Sequence, residues 1–165
     1  MIFRTALDPD GWQDTGDGAP RRLTRAREPV EQIQLSPDAR WIAYNNADSG
    51  RPEVYISSTA GGERWQISNA GGVQAIWRAD GRELYYLGLD GGIYAVAIAA
   101  KGDELEPSRP ELLFRSRLPV ISAVVEQYRA TADGSRFLFC LPLTSVQEEP
   151  LRVVLNWQER LASRN

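Results

Sequence analysis

Short runs of aliphatic and aromatic residues recur along the chain, and turn-forming residues separate them. Residues 69–95 show the arrangement in full, with a strand ending at Trp77, a turn, a second strand over 83–88, an Asp-Gly-Gly turn at 90–92, and a third strand. Strands of this length joined by tight turns are typical of antiparallel hairpins. The pattern therefore predicts a β-meander as the repeating unit of the chain.

A turn of related sequence appears three times, with its aspartate at Asp38, Asp80 and Asp133. The aspartates are 42 and 53 residues apart, and each turn leads into a strand rich in aromatic and aliphatic residues. An aspartate side chain accepts hydrogen bonds from the backbone that follows it, and glycine supplies the positive φ that closes such a turn. Ala39 stands where the other two turns have glycine, and a left-handed backbone there would cost about 1 to 2 kcal/mol.

Several strands are apolar on both faces, among them WIAY from Trp41, LYYL from Leu84 and FLFC from Phe137. Such strands suit sheets that are covered on both sides. Four-stranded units of roughly 40 to 45 residues stacked face to face are typical of β-propellers. We therefore predict an all-β chain, a partial propeller of antiparallel four-stranded blades, about three and a half in number.

The predicted units are a half blade at 1–28, blades at 29–69 and 70–116, and a last blade at 117–165. Residues 1–7 and the RRLT segment at 21–24 are the predicted strands of the half blade, and LRVVLNW at 151–157 is a strand of the last blade. The polar, proline-bearing inserts at 99–109 and 143–150 indicate surface loops. Only residues 158–163 have a helical pattern, which predicts a short helical tail.

With these motifs in view, the chain resembles the TolB-like, WD-repeat-related β-propeller repeats of bacteria. The resemblance is carried by SPDARWIAY from Ser36, WRADGRELYYL from Trp77, ADGSRFLF from Ala132 and LRVVLNW from Leu151. The succession is similar to the C-terminal end of propellers attached to bacterial serine/threonine kinases or regulatory domains. The resemblance implies a scaffold or sensory module for protein-protein interaction, in signalling or at the envelope, rather than an enzyme.

The composition of the chain argues against nucleic acid and against a membrane-spanning segment. The net charge is −3, and the charges of both signs are mixed along the chain, so no basic field is available to hold a nucleic acid. No apolar run reaches the length of about 18 residues that a membrane helix needs, which predicts no membrane insertion by this chain. We recognise no targeting signal in the sequence. The sequence is compatible with either a cytoplasmic or a periplasmic domain of a larger protein.

Histidine is absent and Cys140 is the one cysteine, which removes Ser-His-Asp and Cys-His catalysis and thiolate metal clusters. We expect no catalytic residues and no cofactor. Cys140 lies among apolar neighbours in FLFC, so core packing is expected rather than a reactive thiol.

Two further clusters have competing interpretations. Oxygen ligands and glycines alternate from Asp8 to Asp17, which suits calcium, but the register departs from an EF-hand and a solvated loop is the favoured interpretation. The tryptophans suggest a carbohydrate platform, yet Trp41, Trp77 and Trp157 fall on predicted strands, where packing is favoured. Trp12 is the exception, since it lies in a predicted polar loop.

The first strand of each blade in a propeller lines the central channel, which makes Gln32, Gln34, Gln74 and Arg129 candidate channel-lining residues. The expected partner is another protein or the remainder of the propeller, and a homodimer would also complete the ring. The flanks of the first and last units are expected to expose apolar sheet surfaces. The alternative function is the propeller portion of a prolyl-oligopeptidase-like hydrolase whose catalytic domain lies outside this chain.

Overall fold

The computed structural model describes residues 12–14, 20–22, 29–102 and 104–141, and for the first two ranges the backbone alone. Across these ranges the chain forms thirteen β-strands and no helix. The described part of the chain accordingly holds no helix that could cross a membrane. The strands predicted at 1–7 and 151–157, the helical tail at 158–163 and most of the Asp8–Asp17 cluster lie outside the described residues.

The first two strands form a short antiparallel hairpin. Strand β1 (Trp12–Asp14) pairs with β2 (Pro20–Arg22), with Gln13 opposite Arg21. Trp12 therefore lies in a strand, and the prediction of a polar loop at this position was wrong. The alternation of charged and small residues around it concealed a strand of only three residues.

The first complete blade is a four-stranded antiparallel sheet in sequence order. It consists of β3 (Glu31–Leu35), β4 (Trp41–Asn46), β5 (Glu53–Ser58) and β6 (Arg64–Gln66). The central pair β4 and β5 is buried on both faces, as the apolar runs predict. This four-stranded meander is the predicted propeller blade.

The second blade repeats this order and adds a strand. It consists of β7 (Gly72–Trp77), β8 (Glu83–Gly88), β9 (Gly92–Lys101), β10 (Glu104–Pro107) and β11 (Glu111–Arg115). Strand β9 is long enough to pair with β11 near its start and with β10 near its end. The predicted surface loop at 99–109 is therefore largely a hairpin, because Leu105 is buried in the core and draws its strand onto β9.

A terminal hairpin follows, formed by β12 (Tyr128–Ala130) and β13 (Phe137–Phe139). It provides the start of the predicted last blade, within the described residues. The described sheets thus occupy 12–22, 31–66, 72–115 and 128–139, and the division of the whole chain into units at residues 28, 69 and 116 stays a prediction.

The three aspartate turns have the geometry that the sequence predicts. In each turn the aspartate Oδ1 accepts a hydrogen bond from the backbone N–H two residues on, at 3.1 Å for Asp38, 3.0 Å for Asp80 and 3.0 Å for Asp133. The residue after each aspartate has a positive φ, which is 59° at Ala39 and 70° and 72° at the two glycines. The alanine therefore adopts the left-handed conformation that the repeat demands.

The main core lies between the two complete blades. It joins side chains of β4 and β5 to side chains of β7, β8 and β9, and Trp41, Trp65 and Trp77 are part of it. Trp41 and Trp65 meet edge to face, with ring centroids 5.4 Å apart. The packing role predicted for Trp41 and Trp77 is confirmed, whereas Trp157 lies outside the described residues.

Ile42, Tyr44 and Tyr55 of the first complete blade are buried, with Val30 and Ile33 packed against them and the Arg64 guanidinium 4.4 Å from the centroid of the Tyr55 ring. The first predicted unit, 1–28, lies almost wholly outside the described residues, so the apolar flank expected there stays a prediction. The expectation that Cys140 packs in the core was wrong. Cys140 is exposed, because β13 ends one residue before it and leaves the thiol beyond the hairpin.

Candidate binding site at the propeller axis

A glutamine recurs at the same place in the three repeats, on the inner strands β3 and β7 and directly before β12. Gln32, Gln74 and Gln127 each precede their turn aspartate by six residues. Gln32 and Gln74 lie in β-bulges, where the pairing of β3 with β4 and of β7 with β8 shifts register. Both have positive φ values, 52° and 57°, which is costly for a residue with a side chain. The bulges take these two residues out of the regular hydrogen-bond pattern of the β-sheet.

The side-chain amides connect one sheet to the next. The Oε1 of Gln32 accepts a hydrogen bond from the backbone N–H of Gln74 at 3.0 Å, and the Oε1 of Gln74 accepts one from the backbone N–H of Gln127 at 2.6 Å. The same bond is therefore made twice, from each inner strand to the following one. We call this arrangement the axial glutamine ladder.

Gln74 is the most completely bonded member. Its Nε2 donates to the carbonyl of Ser122 at 2.8 Å and to Oε1 of Gln127 at 3.2 Å. The buried Tyr128 hydroxyl donates to the Gln74 carbonyl at 2.9 Å, and burial raises the pKa of this phenol well above 10. Buried amides contribute to stability when they are satisfied in this way.

Gln32 is bonded less completely. Its Nε2 is buried and has no hydrogen-bond partner within the described part of the chain. A cavity of about 10 Å³ lies beside Gln32, Gln34 and Gln74, with Glu126 and Tyr128 on its other side. This volume is about that of one water molecule. The axis between the inner strands is thus closely filled at this level.

Three of the four predicted channel residues therefore meet at one cavity. Arg129 does not line it, because its side chain is exposed and forms an ion pair with Glu126. Gln127 was not among the predicted channel residues, although its spacing from Asp133 equals the spacing of Gln32 from Asp38. That spacing is the signal that would have found it. A channel-lining role for the four residues stays a prediction.

The segment before β12 bonds to Gln74 and reaches the groove beside the first blade, and we call residues 118–127 the axial loop. The Gln127 side chain fixes it, since Oε1 accepts from the Ser122 N–H at 2.6 Å and Nε2 donates to the Val120 carbonyl at 2.8 Å. Leu118, Ile121 and Ala123 pack onto the core of the second blade. The loop is thus held from both its polar and its apolar side.

The opposite side of the axial loop is apolar and exposed. Val120, Val124 and Val125 have 71%, 73% and 62% of their surface open to solvent. A groove of about 310 Å³ lies between Val124 and the first blade, with Pro29, Pro52 and Glu31 among its walls. Large apolar side chains exposed together on a surface mark contact sites for other proteins.

The axial loop lies on the face at which β3, β7 and β12 begin, and we call this the linker face. The aspartate turns lie on the opposite face, the turn face. On the linker face the buried Glu53 carboxylate holds the connection between the blades, accepting from Ser68 Oγ, from the Gly71 N–H at 3.0 Å and from Arg51 Nε at 2.7 Å. These hydrogen bonds fix the backbone of the connection close to Pro52, which forms a wall of the groove beside the axial loop.

The turn face offers a different chemistry. A cleft of about 620 Å³ lies between Asp38, Asp80 and Trp41. The hydrogen bond from Arg78 lowers the pKa of Asp80 to about 2, and the one from the Thr131 hydroxyl lowers the pKa of Asp133 to about 2. These two carboxylates are hydrogen-bonded within their own turns. Within the described ranges no cluster of acidic, histidine or cysteine side chains is arranged to hold a metal ion.

The repeats of this chain are similar in sequence to those of known bacterial proteins. Residues of this chain match the Tol-Pal system protein TolB of Pseudomonas aeruginosa at 41% identity over 58 residues, 34% of this chain and 13% of that protein. The chain carries TolB-like propeller repeats. It also matches Tricorn protease homolog 1 of Streptomyces coelicolor at 31% identity over 88 residues, 51% of this chain and 8% of that protein. No family model matches the chain.

Among solved structures, TolB from Acinetobacter baumannii overlays with a TM-score of 0.44 and 17% sequence identity, covering 86% of this chain and 46% of that one. The alignments to the two curated relatives span about an eighth and a twelfth of their lengths. The similarity therefore concerns the repeats, and the activities of the whole relatives are not thereby those of this chain.

Proposed function

We propose that this chain is a non-catalytic propeller module of a larger bacterial signalling or envelope protein, and that it binds a protein partner through the axial loop on the linker face. The observation that carries the proposal is the set of exposed valines on a loop held rigidly by Gln74 and Gln127. An apolar surface that is ordered before binding loses little conformational entropy on association. Such a loop is suited to binding the surface of another protein.

The TolB-like repeats support this proposal, because the curated relative is a component of the Tol-Pal system by name. The neutral chemistry of the axis supports it too. The axial glutamine ladder consists of amide groups that hydrogen-bond to one another. Neutral amides of this kind stabilise the local structure, but they are not bases that could activate a nucleophile.

The test is a capture experiment with the full 165-residue chain immobilised and a lysate of the source organism. Val124→Asp places a charge on the axial loop and is expected to reduce the captured partner at least about tenfold. Leu35→Asp is the matched control, since Leu35 is also an exposed apolar residue but ends β3 toward the turn face. Equal capture by the wild type and Val124→Asp, or equal loss in both variants, would contradict the proposal.

A second candidate function is the propeller portion of a prolyl-oligopeptidase-like hydrolase, and the match to Tricorn protease homolog 1 favours it. The two functions predict different neighbours in the coding sequence. A kinase or regulatory domain upstream supports the binding module, whereas a hydrolase domain downstream supports the peptidase. Peptidase activity of the longer protein, lost when that domain's nucleophile is replaced, would establish the second candidate.

A further inference from the structure

A second cleft, with a volume of about 590 Å³, lies on the linker face between the second blade and the linker that precedes it. Its walls come from the linker residues 69–71, from Tyr86, Asp90 and Tyr94, and from Arg109 and Pro110 just before β11. The shape of the cleft therefore depends on how the linker is held against the second blade.

Glycines make room for the aromatic wall. Tyr86 and Tyr94 are directly opposed on β8 and β9, and their rings stack with centroids 5.2 Å apart and an interplanar angle of 12°. A Cβ atom at Gly88 or Gly92 would come within 2.7 or 2.8 Å of the Tyr94 ring. Glycine within a strand weakens it, and its use here lets a ring lie close against the backbone.

Among the described residues around the cleft, one cation has no ion-pair partner. Asp90 is engaged by the Gly92 N–H and the Tyr94 hydroxyl, both at 2.9 Å, and by Arg115 at 2.9 Å. Arg51 is paired with Glu53. Arg109 is exposed and makes no ion pair within the described part of the chain. The cleft therefore combines an aromatic wall, a proline and a guanidinium that is available to an anion.

The 620 Å³ cleft on the turn face also has a proline, Pro37, and an exposed arginine, Arg82. Its aromatic residue, Trp41, is buried in the core and offers no open ring to a ligand. A guanidinium recognises a carboxylate by paired hydrogen bonds, and a tyrosine ring provides contact area with little conformational freedom to lose. The half-buried ring of Tyr94 beside Arg109 gives the linker-face cleft both groups.

We propose that the cleft formed by Tyr94, Arg109 and Pro110 binds an extended acidic segment of a partner protein, with a carboxylate on Arg109 and an aromatic or proline ring against Tyr94. This inference rests on the proposed function, since it assigns a second contact surface to the protein partner. The cleft and the axial loop share the linker face, so one partner reaches both.

The test uses fluorescence anisotropy with the full 165-residue chain and two labelled peptides, Glu-Tyr-Glu-Pro-Glu-Tyr and its counterpart with glutamine in place of each glutamate. The acidic peptide is expected to bind at least about tenfold more tightly, with an affinity that falls as salt is added. Arg109→Gln is expected to remove most of this preference. Arg117→Gln is the matched control, because Arg117 is an exposed arginine outside the cleft.

A second variant separates the aromatic contact from the charge. Tyr94→Leu keeps an apolar side chain on β9 and is expected to weaken both peptides while leaving the preference for the acidic one. Equal binding of the two peptides by the wild type, equal loss in Arg109→Gln and Arg117→Gln, or no binding of the acidic peptide at millimolar concentration would each overturn the proposal.

The capture experiment distinguishes this failure from failure of the proposed function. If the wild-type chain captures a partner and Arg109→Gln captures it equally well, the cleft proposal fails and the axial-loop proposal stands. If Val124→Asp captures as well as the wild type while the acidic peptide still depends on Arg109, the axial-loop proposal fails and the cleft remains a peptide site.

Discussion

The two joints between the described sheets are built differently. The joint between the two complete blades is mainly apolar, with one continuous core and one glutamine bond at the axis. The joint between the second blade and the terminal hairpin has a smaller core but several axial hydrogen bonds, centred on Gln74. One repeat position therefore serves both joints, and its amide side chain makes more hydrogen bonds at the second joint, where the apolar core is smaller.

Both joints also have hydrogen bonds away from the axial glutamines, and at the first joint the Trp77 Nε1 donates to the Gln34 carbonyl at 3.3 Å. At the second joint the N–H of Ala79 donates to the carbonyl of Ala132 at 3.0 Å, and Tyr85 meets Phe137 edge to face at 5.2 Å. Gly134 allows the Tyr85 hydroxyl to lie against its backbone. The terminal hairpin is therefore attached through specific directional contacts.

The largest expected effect comes from deleting the same side chain at each joint. Ile56→Ala removes a fully buried residue from the larger core and should lower the free energy of unfolding by about 4 kcal/mol. Ile93→Ala should cost about 2 to 3 kcal/mol, because partly exposed neighbours can relax into the space. Urea unfolding measures both, and a larger loss for Ile93→Ala would reverse the comparison.

The axial ladder predicts the opposite order for its glutamines. Gln74→Leu leaves the Gln127 N–H and the Ser122 carbonyl without their partners and should cost about 2 to 3 kcal/mol. Gln32→Leu removes one bond and also the unsatisfied Nε2, so a loss of about 1 kcal/mol or less is expected. The two variants share the same backbone strain, which makes them matched. Equal losses would show that the second joint does not depend on the ladder.

The turn glycines separate backbone strain from contact between blades. Gly81→Ala places a methyl group 3.7 Å from Pro37, so only the positive φ opposes it, and a loss of about 1 kcal/mol is expected. Gly134→Ala has the same φ but collides with Tyr85, and its loss should exceed about 2 kcal/mol. Thermal unfolding of the two variants provides the measurement. Similar losses would mean that Tyr85 can move away freely.

The smallest expected effect is a pH dependence at the turns. Because the folded pKa of Asp133 is about 2 and its usual value is 3.8, this carboxylate stabilises the fold above pH 4, and the contribution is lost as the pH falls toward 2. Asp133→Asn should therefore flatten the fall in Tm between pH 4 and 2. If Tm falls equally steeply between pH 4 and 2 in the variant and the wild type, Asp133 does not contribute to the pH dependence of stability.

The turns and most strands could be predicted because their determinants are local. An aspartate followed by a left-handed residue recurs at fixed spacing, and even Ala39 conforms. The hairpin at 99–107 could not be predicted in the same way, since its polar composition hides the single buried side chain of Leu105 that holds it.

The axial site was only partly predictable for a related reason. Gln32 and Gln74 stood out as polar residues on inner strands, but their role depends on bulges and on bonds to residues more than forty positions away. Arg129 was chosen in the third repeat because it is polar and lies on β12, whereas the ladder uses Gln127 just before that strand. The exposure of Cys140 depends on where β13 ends, which the apolar run FLFC does not reveal.

The most direct test of the ladder is amide hydrogen exchange at Gln127, whose N–H donates to Gln74 Oε1 at 2.6 Å. The Val54 amide, which donates to Ser68 Oγ at 2.8 Å in the first blade, is the internal reference. If the ladder holds the axial loop, Gln74→Leu will accelerate exchange at Gln127 at least about tenfold more than at Val54. Equal acceleration at both amides, or none at Gln127, would contradict the account.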